Sequence, residues 1–150
     1  MDKITKLAQD HGEIFETLAF FNESISKITL DDKKSSDECV ANLNTFFGKQ
    51  LSEHFKYEEN EIFPLVLSIG KAQEKHLVRE LQHEHIDIME KVDEIKDLII
   101  SMGYPDKCDK SRLEELVKLN KTAIETILKH ARKEDSQLYP FLKDKGYKFQ

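Results

Sequence analysis

Residues 54–64 read HFKYEENEIFP and residues 130–140 read HARKEDSQLYP, so one pattern occurs twice in the chain. Both stretches follow the frame His-x-x-x-Glu-acidic-x-x-aliphatic-aromatic-Pro. Because residues four apart lie on one face of an α-helix, each copy places an imidazole next to a carboxylate. The repeat therefore predicts two helices that carry the same pair of polar side chains.

Apolar residues at helical spacing extend outward from both copies and form four stripes with alternating intervals of three and four residues. The stripes run through Leu7, His11, Ile14, Leu18 and Phe21; Leu43, Phe47, Leu51, His54, Glu58, Ile62 and Leu65; Leu77, Leu81, His85, Ile88 and Val92; and Leu116, Asn120, Ile124, Ile127, His130, Glu134, Leu138 and Phe141. No segment alternates with the period of a strand. The sequence is therefore predicted to be all-α.

Turn signals divide the chain into four helices with three short connections. Capping-box patterns at Ser35 and Ser111 predict the starts of the second and fourth helices, while Gly70 and residues 103–106 interrupt the chain between the others. Short connections make neighbouring helices antiparallel. The prediction is a single domain over residues 1–150, built as an up-down-up-down antiparallel four-helix bundle.

The composition excludes several classes of partner. The 150 residues have a formal net charge of −6 and a pI of about 5.5, which argues against a nucleic-acid-binding surface. No segment resembles a signal peptide or a membrane span, so we expect a cytoplasmic protein with no membrane partner. Cys39 and Cys108 are too far apart for a Cys-x-x-Cys site and are expected to be free thiols near one end of the bundle.

Six polar residues occupy core-facing positions of the stripes, where a buried charge needs a partner or a metal. They are His11, His54, Glu58, His85, His130 and Glu134. Singly, each has an ordinary explanation, since a His and a Glu at i,i+4 are a common helix pair. Their number and their repeated spacing favour one shared site.

The four histidines are predicted to lie at one level of the bundle. In an antiparallel hairpin, two residues at the same height have the loop at the mean of their numbers. These means are 32.5 for His11 with His54, 69.5 for His54 with His85, and 107.5 for His85 with His130. Each mean falls in or next to a predicted connection, so the four imidazoles are expected to meet in one layer.

Imidazole and carboxylate without thiolate are a ligand set that suits non-haem iron, and also zinc or manganese. Two metal ions fit better than one, because Glu58 and Glu134 can each bridge. His76 and His83 fall on the opposite side of the third helix and are expected to face solvent. Gln50 and Thr126, four residues before His54 and His130, are hypothesised to orient those imidazoles, unless they are ordinary helix residues.

The order His, His-x-x-x-Glu, His, His-x-x-x-Glu resembles that of the hemerythrin-like (HHE) cation-binding domains across essentially the whole chain. The resemblance implies a hemerythrin-like bundle that holds two iron ions in an oxo- or hydroxo-bridged centre, with the six polar residues as ligands. Oxygen-carrying hemerythrins have a His-x-x-x-His pair on the third helix, whereas this chain has Leu81 and Met89 four residues before and after His85. Asp135 has the carriers' spacing, but the repeat favours Glu134 as the bridge. The set is most similar to that of the di-iron domain of repair-of-iron-centres proteins.

Three functions are consistent with this resemblance. The first is a di-iron protein of nitrosative or oxidative stress or iron homeostasis, including iron donation for iron–sulfur cluster repair. The second is reversible binding or sensing of dioxygen or nitric oxide. The third, a metal-free helical interaction module, is disfavoured because six unpaired polar core residues would be costly. The expected partners are dioxygen, nitric oxide, peroxide and iron–sulfur proteins, and the sequence leaves open whether the protein is an enzyme.

Overall fold

Four long helices make up the described part of the chain, which in this computed structural model comprises residues 3–25, 33–104 and 109–145. Helix α1 is Lys3–Ser24, α2 runs from residue 33 to 69, α3 is Ala72–Ser101, and α4 runs from residue 110 to 144. Each helix contacts the next one in the chain, and α1 also contacts α4. The predicted up-down-up-down four-helix bundle is confirmed.

Helices α2 and α4 are interrupted by wider, π-helical turns. In α2, the α-helical segments Lys33–Thr45, Ser52–Tyr57 and Phe63–Ile69 are separated by π turns at Phe46–Leu51 and Glu58–Ile62. In α4, the π turn Glu134–Leu138 separates Lys110–Lys133 from Tyr139–Asp144. The turns that begin at Glu58 and Glu134 occupy equivalent positions of the sequence repeat.

Proline explains these two equivalent turns. Each copy of the repeat ends in a proline, which lacks a backbone N–H and whose ring clashes with the carbonyl four residues earlier. In each copy, the residue before the proline donates its N–H to the glutamate carbonyl five residues back, Phe63 to Glu58 and Tyr139 to Glu134. The turn thus contains one extra residue, which advances every later side chain by about 100° around the helix.

The extra residue changes which side chains face the core beyond each π turn. A regular period predicted Leu65 and Phe141 inside, but both are only partly buried. The fully packed residues are instead Phe63, Val66, Tyr139 and Leu142. The predicted stripes were therefore wrong after Ile62 and Leu138, because the sequence was interpreted with an uninterrupted α-helical period.

The helix starts also differ from the capping-box predictions. The chain is already helical at Lys33, so Ser35 lies inside α2. Helix α4 is capped by Asp109, whose side chain accepts a hydrogen bond from the Arg112 N–H at 2.8 Å, and not by Ser111. Both predicted starts were displaced by two or three residues, and the first connection lies outside the described residues.

Two glycines allow the other connections to be short. Gly103 has a φ of 70°, a left-handed conformation in which its N–H bonds to the Ile100 carbonyl and the N–H of Tyr104 bonds to the Ile99 carbonyl. A Cβ added at Gly70 would come within 2.7 Å of the Val66 carbonyl oxygen. Only glycine fits the tight passage from α2 to α3.

A polar layer divides the core into two apolar clusters. The large cluster consists of Ile14, Leu18, Phe21, Ile25, Cys39, Val40, Leu43, Phe46, Phe47, Leu51, Phe55, Ile88, Val92, Ile95, Leu98, Met102, Leu113, Leu116, Ala123, Ile124 and Ile127. The small cluster consists of Leu7, Ile62, Phe63, Val66, Leu77, Val78, Leu81, Leu138, Tyr139 and Leu142. The polar layer between them contains the six residues singled out in the sequence.

Cys39 is a free thiol buried in the large cluster, and burial raises its pKa above the usual value. Cys108 lies outside the described residues, so its predicted position at the same end of the bundle as Cys39 stays a prediction. Among the described helices, none combines the length and the apolar character that crossing a membrane requires.

Candidate metal centre

The structure brings all six polar residues together in the middle of the bundle. The four histidines are between 2 and 5% exposed, and both glutamates are fully buried. The Nε2 atoms of His11 and His54 are 3.1 Å apart, and those of His85 and His130 are also 3.1 Å apart. The antiparallel hairpins therefore produce two imidazole pairs in one layer, as the means of the residue numbers predicted.

The two glutamates lie between the imidazole pairs. Glu58 Oε1 is 3.3 Å from the Nε2 atoms of both His54 and His85. Glu134 Oε1 is 2.8 Å from His130 Nε2 and 3.7 Å from His11 Nε2. Each carboxylate thus contacts one histidine from each pair.

Two overlapping groups of potential ligands result from this arrangement. One contains His11 and His54 and the other contains His85 and His130, while both share Glu58 and Glu134; within each group, the ligand atoms lie within 4.8 Å of one another. Two neighbouring positions with two shared carboxylates are the arrangement that the sequence predicted. The assignment of these residues as ligands stays a prediction.

Four carboxylates surround the imidazoles on their outer side, and we call them the outer carboxylates. Three of them accept hydrogen bonds from Nδ1 atoms: Asp135 from His11 at 2.9 Å, Glu59 from His85 at 3.1 Å, and Glu84 from His130 at 2.9 Å. Asp10 is the fourth, 3.6 Å from His54 Nδ1. A histidine that binds a metal through one nitrogen commonly donates its other N–H to such a group.

These contacts fix where the imidazole protons lie. A carboxylate only accepts hydrogen bonds, so the Nδ1 atoms of His85 and His130 carry the hydrogens and their Nε2 atoms present lone pairs. The two lone pairs point toward each other across 3.1 Å. Such a pair is unfavourable unless a cation lies between the atoms.

The buried carboxylate oxygens also indicate a site for cations. None of the four oxygens of Glu58 and Glu134 has a hydrogen-bond partner among the described residues, although all four are buried. Unpaired buried carboxylates are rare because their desolvation is costly. Four facing imidazoles and two unpaired carboxylates, without a thiolate, fit two divalent or trivalent cations.

The electrostatics favour ionised carboxylates around the centre. The hydrogen bond from His130, opposed by burial and assisted by Lys133, lowers the pKa of Glu84 to about 2. Burial also lowers the pKa of His130, which favours the neutral imidazole that a metal requires.

The sequence prediction did not identify the outer carboxylates as partners of the imidazoles, and it considered only Asp135, as an alternative to Glu134. Asp10 and Glu84 directly precede His11 and His85, and Glu59 and Asp135 directly follow the two bridging candidates. The sequence contained a signal for Glu59 and Asp135, because both occupy the acidic position of the repeat frame. The frame did not indicate that these carboxylates contact imidazoles, because the imidazoles lie on other helices.

The residues hypothesised for this orienting role do not perform it. Thr126 donates its hydroxyl hydrogen to the Thr122 carbonyl at 2.8 Å, the ordinary helical contact. Gln50 has no hydrogen bond to an imidazole in the described structure and lines a cavity of about 190 Å³ beside His54. His76 and His83 face solvent, as predicted.

Tyr139 was also missed by the sequence prediction. Its hydroxyl lies 2.7 Å from His11 Nε2, and burial together with the charge of Glu58 raises its pKa, so that without a metal it donates a hydrogen bond to that nitrogen. On a regular helix, residue 139 would point away from Glu134. The π turn rotates Tyr139 into the centre. The proline that ends the repeat was the sequence feature that could have predicted this turn.

The sequence model described as the hemerythrin HHE cation binding domain matches residues 2–145. No curated protein and no solved structure matched the chain. The family match covers nearly every residue and includes both copies of the repeat, all four helices and the polar layer. Together with the buried cluster of histidines and glutamates, it shows that the chain belongs to the hemerythrin family, as a member with an HHE cation-binding domain.

Proposed function

We propose that this protein is a non-haem di-iron protein that binds small oxidising or nitrosative molecules, namely dioxygen, nitric oxide or peroxide, in the response to oxidative or nitrosative stress. The observation that supports the proposal most is the pair of buried glutamates shared by two histidine pairs, with all four carboxylate oxygens unpaired. Two metal ions at these positions would be close neighbours, as small-molecule redox chemistry at paired metals requires.

The number of protein ligands supports small-ligand binding. Two imidazoles and one oxygen from each shared carboxylate supply four donors to each ion, and a solvent-derived bridge supplies a fifth. Iron that prefers six ligands then has one position free for an exogenous molecule. The centre is enclosed by side chains that are at most 5% exposed, so only small molecules are expected to reach it.

Iron donation is the second candidate function, and one observation favours it. The cavity beside His54 is lined by Asp10, Glu13 and Glu53. Lys6 also lines the cavity and pairs with Asp10, so that the lining keeps a net negative charge on the way to the otherwise buried centre. Carboxylates of this kind attract cations and provide exchangeable ligands. This function would make iron–sulfur proteins that have lost iron the acceptors. A cytoplasmic location belongs to the same proposal, because the free thiol of Cys39 suits a reducing compartment.

The test begins with metal analysis and optical spectra of the purified protein. We expect two irons per chain and the near-ultraviolet absorption of bridged ferric iron. Zinc or manganese in their place, in protein prepared with iron available, would contradict the assignment of the metal. A chain without metal at all would contradict the proposal as a whole.

The second step separates the two functions. Stoichiometric spectral changes on adding nitric oxide or dioxygen to the reduced protein, with iron retained, support small-ligand binding. Transfer of iron to an apo iron–sulfur acceptor supports donation. In that case, Glu13→Gln with Glu53→Gln should slow the transfer without changing the iron content, whereas the same change at the exposed Glu94 should have no effect.

A further inference from the structure

The two halves of the centre differ in the aromatic residue that precedes the proline of each repeat. The repeat places Phe63 after one glutamate and Tyr139 after the other, and the π turns rotate both toward the centre. The halves share their polar groups: each has two imidazoles, both shared carboxylates and outer carboxylates at matching sequence positions. A hydroxyl is therefore present beside His11, while a plain ring lies 5.3 Å from the His85 ring.

Once a metal binds, the hydroxyl of Tyr139 has few groups with which it can form a hydrogen bond. It now contacts the Nε2 lone pair of His11 at 2.7 Å, and Tyr139 is only 5% exposed. A metal would take that lone pair. The side chains of its own cluster, such as Leu7, Leu138 and Leu142, are apolar and accept no hydrogen bond. Since an unpaired buried hydroxyl is costly, the oxygen is expected to interact with the metal, with a molecule bound to it, or with a carboxylate that holds the metal.

The spacing of the atoms favours the metal. Two ligands at right angles around an ion that is about 2.0–2.2 Å from each lie about 3 Å apart. The Nε2 atoms of His11 and His54 are 3.1 Å apart, and the Tyr139 oxygen is 2.7 Å from His11 Nε2. Both of these separations from His11 Nε2 are those of neighbouring ligands on one ion.

We propose that the Tyr139 oxygen is a further ligand of the metal held by His11 and His54, that it closes this metal to other molecules, and that exogenous ligands bind at the metal held by His85 and His130. As the oxygen–metal bond forms, the phenol's O–H bond breaks and its proton leaves to solvent. The inference rests on the proposed di-iron function and specifies which of the two ions is open.

The surroundings of the open position define the class of molecule that it accepts. Phe55 stacks on the His85 ring with centroids 3.8 Å apart, and Phe63 lies on another side of the same ring. Leu81, one helical turn before His85, is fully buried in the small cluster. None of these side chains offers a hydrogen-bond donor, so the position favours uncharged diatomic molecules over charged ones.

The test uses iron-loaded protein and the variants Tyr139→Phe and Phe63→Tyr, with Tyr57→Phe as the matched control. Iron content is measured first, because loss of iron from the native protein would contradict the proposed function rather than this inference. In native ferric protein we expect a visible phenolate-to-iron charge-transfer band. The band should be absent from Tyr139→Phe and unchanged in Tyr57→Phe.

Titration of the reduced proteins with nitric oxide tests whether only the metal held by His85 and His130 is open to exogenous ligands. We expect one nitric oxide per two irons in the native protein and two in Tyr139→Phe, while Phe63→Tyr, which places a hydroxyl in each half, should bind none. If Phe63→Tyr does not load iron, the comparison of Tyr139→Phe with native protein still decides. Two nitric oxide molecules per native chain, or a visible band that persists in Tyr139→Phe, would overturn the inference.

Discussion

Each imidazole of the centre has a carboxylate neighbour on its outer side and the space between the glutamates on its inner side. The hydrogen bonds from His11, His85 and His130 to outer carboxylates orient three rings before any metal is present. The outer carboxylates themselves reach solvent, with exposed fractions from 25 to 47%. The bridging candidates and the orienting residues are therefore expected to respond differently to substitution.

Replacing Glu58 by Ala should remove a ligand from both ions at once. We expect iron content to fall from two per chain to one or fewer, measured by metal analysis after reconstitution with excess iron. His76→Ala and His83→Ala are the controls, because both side chains face solvent, and they should retain two irons. Full occupancy in Glu58→Ala would show that the carboxylate does not bridge.

Replacing Glu84 by Ala should have a milder effect. His130 would lose the partner of its Nδ1–H and part of its fixed orientation, which typically costs about 10–100-fold in metal affinity. Competition with a chelator of known affinity measures the change. The exposed Glu94 on the same helix provides the matched control, and an identical affinity in both variants would contradict an orienting role for Glu84.

The sequence sufficed to find the six residues of the polar layer but not the outer carboxylates that contact them. The six residues were recognisable because polar side chains at core positions interrupt an otherwise apolar stripe. The outer carboxylates lie at the edge of the bundle, where acidic residues are ordinary, and their contacts cross from one helix to another. Spacing along one helix carries no information about such contacts, so Asp10 and Glu84 could be assigned only from the structure.

At the scale of the helices, the regular period predicted both the number of elements and their direction. It was wrong after Ile62 and Leu138, because the π turns that begin at Glu58 and Glu134 each add one residue. The proline that ends each copy of the repeat is the physical cause, since it removes an N–H from the ladder. The π turn before each proline shifts the later side chains around the helix axis. In α4 this shift brings Tyr139 to the side of the helix that faces the core.

The connection between α2 and α3 provides a test at the same scale. In Gly70→Ala, the new methyl group would meet the Val66 carbonyl oxygen at 2.7 Å and the Glu74 Cβ at 2.8 Å. We expect the free energy of unfolding to fall by about 1–3 kcal/mol, as for other overpacked sites. Urea unfolding of the metal-free protein measures it.

Gly12→Ala is the matched control for that experiment. A Cβ at Gly12 meets nothing within 4 Å, and the residue lies inside α1. Alanine in a helix interior is more stable than glycine by about 0.5–1 kcal/mol, so this variant should be slightly stabilised. Equal effects of both substitutions would mean that Gly70 is not required by its close contacts.

At the scale of the whole molecule, the stability of the folded chain is expected to depend on metal binding in the polar layer. Without a cation, the bundle buries two unpaired carboxylates and facing lone pairs between its two apolar clusters. An ion that binds only the folded chain stabilises it in proportion to the logarithm of its concentration, by about 2.7 kcal/mol at a hundred times the dissociation constant.

Removing iron should therefore lower the thermal unfolding midpoint, and adding it back should restore the midpoint. Scanning calorimetry with and without a chelator measures the difference. Glu58→Ala should respond much less to added iron, because one shared ligand is missing. A midpoint that is the same with and without iron in the native chain would contradict the link between the centre and the fold.

The difference between Phe63 and Tyr139 has a consequence for the history of the fold. Each hairpin supplies two histidines and one glutamate, so two identical hairpins assembled around a twofold axis would form the same centre. Such a dimer presents identical side chains on both sides of its axis and cannot hold a tyrosine beside one ion and a phenylalanine beside the other. Joining both hairpins in one chain frees each copy to mutate separately. Gene fusion is thus the step after which the two ions can be assigned different tasks.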